Sequence, residues 1–305
     1  MSKPNILAGL RDIVRLSHCI LASIGGFCSA LIAATLDSPD LTIWELLGDY
    51  VLEIIFGIWV PFLLMGGAMA INDYRDYDID KINQRLDRPL VRGDLTPHQV
   101  LIIAAILYGL GIILTAWLFF KVLILTLFFV ILSISYSYKL KELGPIGNIT
   151  IALNICAPFI LGAIVVDVSD PDAQITIGFL IASIFFLISG REVMKGIMDV
   201  EGDKEAGIKT IAATMGVKPA AYIAVGLWSI VAILAPLPMF FAYEGNLVYL
   251  ILILATIAML FNVCFRLLKD QSYQTGKYAR EFTKVILWTG LMAFFLGALS
   301  WSLWD

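Results

Sequence analysis

One acidic segment of the sequence has residue types and a spacing suited to a divalent cation. Asn72, Asp76 and Asp80 stand at positions i, i+4 and i+8, so a helix would place them on one face, spread along about 12 Å. Carboxylates one turn apart repel each other unless a cation lies between them, and oxygen ligands of this kind suit Mg²⁺. We therefore predict that these three residues, named the first acidic row, bind Mg²⁺.

A second segment repeats this spacing with Lys195, Asp199 and Asp203, named the second acidic row. Each aspartate of the second row follows its counterpart in the first by 123 positions, which indicates a diverged internal repeat. Two such rows facing each other would hold about two or three Mg²⁺ ions, enough for a diphosphate. Asp199 and Asp203 are therefore predicted metal ligands, and Arg191 and Lys195 are predicted to bind the remaining diphosphate oxygens.

The helices that carry these rows are predicted to lie in a membrane. Of the 305 residues, 60% are hydrophobic and 15% are charged, whereas a soluble domain carries roughly 25% charged residues. Apolar runs long enough to cross the hydrocarbon core recur along the whole chain. We predict an all-α bundle of nine transmembrane helices in a single domain, residues 1–305. The predicted spans are Leu16 to Leu36, Val51 to Ile71, Val100 to Phe120, Val122 to Tyr136, Ile149 to Val166, Ile175 to Ser189, Ala220 to Tyr243, Leu247 to Leu268 and Val285 to Leu303.

The basic residues favour nine spans over the alternative of eight. Eight spans would result if the third and fourth, separated only by Lys121, were one. With nine spans and a cytoplasmic N-terminus, 20 of the 21 basic residues lie on the cytoplasmic side and Lys121 alone lies opposite, as the positive-inside rule requires. We predict a multi-pass cell-membrane protein whose N-terminus and acidic rows are cytoplasmic and whose C-terminus is outside. Because four spans separate the rows, two parallel four-helix repeats plus a ninth helix are expected.

The cysteines and histidines have simpler interpretations. Cys19, Cys28, Cys156 and Cys264 lie within apolar spans without metal-ligand spacing, so we predict buried apolar side chains. His98 follows a helix-start signal and is given no role. The sequence predicts no nucleic-acid partner.

The acidic rows also carry a resemblance to a known family. Asn72-Asp73-x-x-Asp76-x-x-x-Asp80 together with Asp199-x-x-x-Asp203 resembles the paired aspartate motifs of the UbiA superfamily of intramembrane prenyltransferases. Further matches, in family order, are Arg88-Pro89 before Gly93, Tyr136-Ser137-Tyr138-Lys139-Leu140-Lys141 and Gly207-Ile208-Lys209-Thr210. The resemblance covers the whole chain. It implies nine helices around a central cavity, with the diphosphate at its polar mouth and the prenyl chain in an apolar tunnel.

The resemblance implies a reaction as well. Mg²⁺ assists the loss of diphosphate from an allylic polyprenyl diphosphate, and an acceptor attacks the resulting allylic cation. Basic residues would neutralise the diphosphate, and tyrosine rings would stabilise the cation. Arg92 is either a further anion contact or positive-inside charge. The predicted diphosphate-binding residues are Arg15, Arg88, Lys139, Arg191 and Lys195, and the predicted catalytic residues are Asn72, Asp76, Asp80, Asp199, Asp203, Tyr136 and Tyr138.

The flanking residues indicate an acceptor. Arg191-Glu192-Val193-x-Lys195, the segment 199–203 and Lys139-Leu140-Lys141 resemble the branch of the family that makes digeranylgeranylglyceryl phosphate for ether lipids. We therefore predict geranylgeranyl transfer from an allylic polyprenyl diphosphate to geranylgeranylglyceryl phosphate, with membrane lipids as further partners. The alternative is an aromatic acceptor of quinone biosynthesis such as 4-hydroxybenzoate. A secondary transporter and a structural membrane protein are the alternatives from other classes, but transporter acids usually lie near the membrane midplane rather than at span ends.

Overall fold

The computed structural model describes residues 5–205 and 207–302, and every regular element within them is helical. Lys3 of the basic N-terminal segment and Leu303, the predicted end of the ninth span, lie outside the described residues. The helices are α1 Ile6–Ile13, α2 Leu16–Asp37, α3 Ile43–Asp49, α4 Val51–Ile82, α5 Pro89–Arg92, α6 Pro97–Leu118, α7 Leu123–Tyr138, α8 Pro145–Ile164, α9 Pro171–Met198, α10 Val200–Glu205, α11 Ile211–Met215, α12 Val217–Leu234, α13 Leu247–Lys269 and α14 Tyr273–Ser302. Short 3-10 turns cover Phe120–Val122, Leu140–Glu142 and Leu237–Phe240.

Nine helices in the described part of the chain are long and apolar enough to cross a membrane, which confirms the predicted number. The eight-span alternative is wrong. Phe119, at φ −142° and ψ 73°, ends α6, and the 3-10 turn Phe120–Val122 leads directly into α7. A single continuous helix would have buried Lys121 in the middle of the span, whereas the turn leaves its side chain exposed.

The chain forms two compact units. Unit 1 comprises Met1–Ala30, Leu52–Leu140 and Ala157–Val165, and unit 2 comprises Leu31–Val51, Lys141–Cys156 and Val166–Asp305. The first acidic row belongs to unit 1 and the second to unit 2.

Unit 1 is packed by close helix crossings at small residues. A Cβ atom added to Gly26 of α2 would overlap the carbonyl oxygen of Gly57 of α4, and one added to Gly162 of α8 would overlap the carbonyl oxygen of Gly26. Glycines let helix backbones approach closely in a membrane, where van der Waals packing holds helices together. The hydroxyl of Ser29 also donates to the carbonyl of Phe159 at 2.7 Å. These contacts fix α4, which carries the first row, against α2 and α8.

Unit 2 is packed around α9. The fully buried Trp228 of α12 donates its indole N–H to the carbonyl of Leu187 at 3.0 Å and fills the space above Gly190. Met194, also fully buried, lies in the same apolar cluster, to which α11, α13 and α14 contribute. The last turns of α9, which lead into the second row, are therefore anchored on one side by a continuous apolar core.

A short amphipathic helix precedes the first span. The buried Gly9 of α1 packs against Asp94 and Leu95, while Leu7 on the opposite face is exposed. Arg92, at the end of α5, donates to Asp12 at 2.8 Å and also pairs with Asp94 at 2.5 Å. Arg92 therefore has a structural partner on each side and holds α1 to the segment that follows the first row.

Candidate active site

The first acidic row lies on the last turns of α4, as predicted. This helix runs without interruption from Val51 to Ile82, so Asn72, Asp76 and Asp80 follow one another at successive turns. The amide nitrogen of Asn72 donates to Oδ2 of Asp76 at 3.0 Å, which orients the amide oxygen of Asn72 away from that bond. The row therefore presents amide and carboxylate oxygens, the ligand chemistry that Mg²⁺ prefers.

Asp73, beside the row, is the most deeply buried carboxylate of unit 1. Its side chain is 1% exposed, and its Oδ1 accepts from Arg15 at 2.6 Å and from Arg88 at 3.0 Å. Arg15 lies at φ 48°, between α1 and α2, a conformation that non-glycine residues seldom adopt. The buried ion pair thus joins three segments of unit 1.

Arg88 also approaches the row itself. Its Nε lies 3.5 Å from Oδ2 of Asp80, and Arg85 lies 3.7 Å from the other oxygen of the same carboxylate. The structure therefore brings two of the predicted diphosphate-binding residues, Arg15 and Arg88, to the buried side of the first row.

The remaining predicted residues of unit 1 lie at the end of α7. Tyr136 is half-buried, whereas Tyr138 and Lys139 are exposed. The guanidinium carbon of Arg75 lies 4.5 Å from the centre of the Tyr138 ring, so one face of that ring is already engaged by a cation. Lys139 ends the helix and makes no ion pair with another described residue.

The second acidic row departs from the prediction of one continuous helix face. The helix α9 ends at Met198, Asp199 is its C-cap residue at φ −101°, and α10 begins at Val200. Backbone bonds from Asp199 to Lys195 and from Asp203 to Asp199 still keep a helix-like spacing. Lys195 therefore belongs to one helix and Asp203 to the next, with Asp199 at the joint.

Each aspartate of the second row has a distinct environment. Partial removal from water, followed by repulsion from Asp203, raises the pKa of Asp199 above its ordinary value, and Lys195 offsets only part of this. The hydroxyl of Thr210, the N-cap of α11, donates to Oδ2 of Asp203 at 3.0 Å. The two carboxylates of the row lie close enough to repel each other, and a cation placed between them would relieve this repulsion.

A buried acid holds the basic residues of unit 2. Glu192 is 8% exposed in its side chain, accepts from Arg191 at 3.0 Å through Oε1 and accepts from Lys195 at 2.7 Å through Oε2. The structure thus brings the two predicted basic residues of this segment together on one carboxylate. Of these two residues, Lys195 lies one turn before Asp199.

Both rows fit a hard cation by donor chemistry. All predicted ligands are oxygens, and Oδ2 of the buried Asp73, next to the first row, has no hydrogen bond among the described residues. Among the residues that the structure describes, no group of three or more His, Cys, Asp or Glu side chains converges on a preformed metal site. Oxygen ligands of this kind suit Mg²⁺, which keeps waters and takes part of its ligands from substrate phosphates.

Sequence reasoning missed the second layer of this chemistry. Asp73 and Glu192 stand within the sequence motifs without a predicted role, and Thr210 stands in a flanking match. The signal for Glu192 was the spacing Arg191-Glu192-x-x-Lys195, which places both basic residues within reach of one acid on a helix. No comparable signal existed for Asp73, because Arg15 lies 58 positions away. The prediction for the cysteines is confirmed, since all four are buried and free.

Comparison with known proteins agrees with this geometry. The model of the UbiA prenyltransferase family matches residues 22–288. A digeranylgeranylglyceryl phosphate synthase of Archaeoglobus fulgidus is 35% identical over 298 residues, with 96% of each chain covered. A solved structure of a digeranylgeranylglyceryl phosphate synthase superposes with a TM-score of 0.80 at 28% identity, covering 97% of this chain and 99% of that one.

A more distant solved structure shares the fold. It is a UbiA homologue from Archaeoglobus fulgidus bound to GPP and Mg²⁺, with a TM-score of 0.56 at 18% identity, covering 94% of this chain and 99% of that one. The match to the family model covers most of the chain, and the fold with nine apolar helices agrees with it. The chain therefore belongs to the UbiA prenyltransferase family and is a multi-pass membrane enzyme that transfers prenyl groups.

Proposed function

We propose that this enzyme transfers a geranylgeranyl group from geranylgeranyl diphosphate to geranylgeranylglyceryl phosphate, and that it requires Mg²⁺. The choice of acceptor is supported by the relative of that function, which aligns over 96% of this chain. It is also supported by the basic residues of segment 191–195, because the phosphate of this acceptor carries more negative charge than the single carboxylate of 4-hydroxybenzoate.

The observation that carries diphosphate binding is a set of unused arginine donors. Arg15, Arg88 and Arg191 each have a buried Nε without a hydrogen-bond partner among the described residues, although that of Arg88 lies in an ion pair with Asp80 at 3.5 Å. A buried donor left unpaired costs about 1–3 kcal/mol. Phosphate oxygens would satisfy such donors, and guanidinium groups match phosphate geometry well. We infer that these arginines are held ready for the substrate diphosphate.

The metal ligands are assigned within each unit. Asn72, Asp76 and Asp80 would hold Mg²⁺ in unit 1, and Asp199 and Asp203 would hold it in unit 2. When bound, Mg²⁺ neutralises negative charge on the diphosphate and so favours its departure as a leaving group.

The protein's own residues divide the remaining work. Five basic residues bind and orient the diphosphate while the bond between C1 of the prenyl chain and the diphosphate oxygen breaks. They are Arg15, Arg88, Arg191, Lys139 and Lys195. The oxygen of the acceptor hydroxyl then bonds to C1, and its proton passes to the released diphosphate. The apolar helices exclude water, which would otherwise trap the allylic cation as an alcohol.

The two tyrosines are assigned to the allylic cation. Tyr136 and the ring face of Tyr138 opposite Arg75 would present π-electron density to it.

The membrane orientation follows from the basic residues, with the N-terminus and both acidic rows cytoplasmic.

The test is a reconstituted transfer assay. Purified enzyme in lipid receives labelled geranylgeranyl diphosphate with either geranylgeranylglyceryl phosphate or 4-hydroxybenzoate, with and without Mg²⁺. We expect product with the glycerol phosphate only, and only with Mg²⁺. Asp76→Ala and Asp199→Ala should each reduce turnover by at least about 100-fold. Asp78→Ala, at an exposed position of α4 outside the row, is the matched control and should keep wild-type turnover.

Each contrary outcome has a defined meaning. Product with 4-hydroxybenzoate alone would overturn the proposed acceptor and assign the enzyme to an aromatic substrate. Turnover that survives chelation of divalent cations, or that survives both alanine substitutions, would overturn the metal assignment.

A further inference from the structure

Glu192, the acid that binds Arg191 and Lys195, is more buried than the acid of an ordinary surface ion pair. Glu192 is 8% exposed, Arg191 17% and Lys195 38%. Each carboxylate oxygen engages one of the two cations. Because both oxygens are already engaged, the arrangement favours a carboxylate that holds cations over one that accepts a proton from the substrate.

The two cations keep donors available beyond this acid. Arg191 binds Glu192 through Nη1, while the Nε of Arg191 is buried without a hydrogen-bond partner among the described residues. Lys195 has three ammonium hydrogens and uses one on Glu192. The local charge of the three side chains together is +1, so the group still attracts an anion.

We propose that Glu192 is a positioning residue that fixes Arg191 and Lys195 as a pair for the phosphate groups of the substrate. This inference rests on the proposed function. Without Glu192, two cations on adjacent turns repel each other and turn towards water. With it, both side chains are held in place before substrate arrives, so less side-chain entropy is lost on binding.

Unit 2 contains a natural control for this role. Arg280-Glu281-x-x-Lys284 repeats the spacing of Arg191-Glu192-x-x-Lys195. Glu281 binds Arg280 at 3.2 Å and Lys284 at 2.8 Å, but its side chain is 51% exposed. Exposed pairs of this kind are weak because water screens them. The same substitution at both glutamates therefore separates the effect of the buried position from that of the sequence pattern.

The first experiment measures binding without turnover. Isothermal titration in lipid nanodiscs with Mg²⁺ and a non-hydrolysable geranylgeranyl thiodiphosphate compares wild type, Glu192→Gln and Glu281→Gln. We expect Glu192→Gln to raise the Kd roughly tenfold or more, and Glu281→Gln to change it less than about twofold. An unchanged Kd for Glu192→Gln overturns the inference, whatever its melting temperature.

A double-mutant cycle distinguishes positioning from a general effect on folding. If Glu192 acts through Arg191 and Lys195, then Glu192→Gln should weaken binding less than about threefold in a background that carries both Arg191→Gln and Lys195→Met. The full tenfold effect in that background would overturn the inference. If Glu192→Gln does not fold, Glu192→Asp replaces it, because a carboxylate shortened by one methylene cannot reach both cations at their present positions.

The same titration separates this inference from the proposed function. Failure of the wild-type enzyme to bind the thiodiphosphate would overturn the proposed donor substrate and this inference with it. Tight binding by wild type and by Glu192→Gln alike would overturn only the role of Glu192. Because no acceptor is present, an error in the proposed acceptor leaves the result unaffected.

Discussion

At the scale of the residue, each acidic row is accompanied by a buried carboxylate that holds two basic side chains. Asp73 holds Arg15 and Arg88, and Glu192 holds Arg191 and Lys195. A buried acid between two cations is costly to remove, because its partners are then left as uncompensated charges. These acids therefore stabilise the fold and, at the same time, fix the donors proposed to bind diphosphate.

Asp73→Asn should consequently impair both stability and activity. Its loss leaves Arg15 and Arg88 close together without a countercharge, and breaking such a buried pair costs about 3–5 kcal/mol. We expect a clear fall in melting temperature and at least a roughly tenfold fall in turnover with saturating acceptor. Asp78→Asn, at an exposed position of the same helix, is the control and should alter neither. Equal behaviour of the two variants in thermal denaturation would show that the Asp73 ion pairs contribute little.

The residues that sequence reasoning found and those it missed differ in one physical respect. Asn72, Asp76 and Asp80 share a helix face, and helical periodicity alone predicts this. The partners of Asp73 come from distant positions, and the hydrogen bond from Thr210 to Asp203 depends on how the chain folds between α10 and α11. Such contacts are set by tertiary packing, for which a single sequence carries no periodic signal.

At the scale of the element, helix ends were harder to predict than helix faces. The continuation of α4 through the first row was predicted correctly. The end of α9 at Met198 was not, because the spacing of Lys195, Asp199 and Asp203 fits a continuous helix equally well. The interruption lies at Asp199, and aspartate is a weak helix former that favours helix ends, because its short side chain competes for backbone hydrogen bonds.

The glycine crossing of unit 1 predicts a strong effect of a single methyl group. In Gly26→Ala, the new Cβ would overlap the carbonyl oxygen of Gly57, a backbone atom that cannot rotate away. Overpacking of this kind costs about 1–3 kcal/mol. Gly109→Ala in α6, where nothing lies within 4 Å of the added atom, is the matched control. Thermal denaturation in lipid should show a loss for the first and none for the second, and equal melting temperatures would contradict the close crossing.

The attachment of α1 should depend on pH in a defined direction. Hydrogen bonding from Arg92 lowers the pKa of Asp12 below its ordinary value of 3.8, and the backbone N–H of Asn5 followed by Arg92 lowers the pKa of Asp94. A carboxylate whose pKa is lower in the folded protein stabilises it above the ordinary pKa and loses this effect as pH falls through the lowered value. Protection of α1 should therefore be constant from about pH 7 to 5 and decrease only below about pH 4.

Hydrogen exchange of residues 6–13, corrected for the intrinsic rate, measures this. Arg92→Gln should reduce protection already at neutral pH. Arg11→Gln removes a cation from the same Asp12 but from a side chain that is 66% exposed, so its effect should be small. A loss of protection between pH 7 and 5, or an equal effect of the two substitutions, would exclude the proposed attachment.

At the scale of the whole molecule, the distribution of charge carried most of the prediction. The number of spans followed from apolar runs together with basic residues, and the nine long apolar helices among the described residues confirm it. The division of the chain into two compact units was not predicted, and the residues of the fifth span are shared between these units. Apolar runs define helices, but which helices pack together depends on side-chain fit, such as that of Trp228 against α9.

The odd number of spans makes the membrane orientation testable with single cysteines. The four native cysteines are buried, so their background reaction with an impermeant maleimide should be low. Asn83→Cys and Glu244→Cys both place the thiol at exposed positions, after α4 and before α13 respectively. With a cytoplasmic N-terminus, the first of these follows the second span on the cytoplasmic side, and the second follows the seventh span outside. Glu244→Cys should therefore react in intact cells and Asn83→Cys only after the cells are opened. The reverse pattern would invert the orientation and place both acidic rows outside, where a cytoplasmic prenyl diphosphate could not reach them. Reaction of both variants in intact cells would contradict the nine-span topology itself.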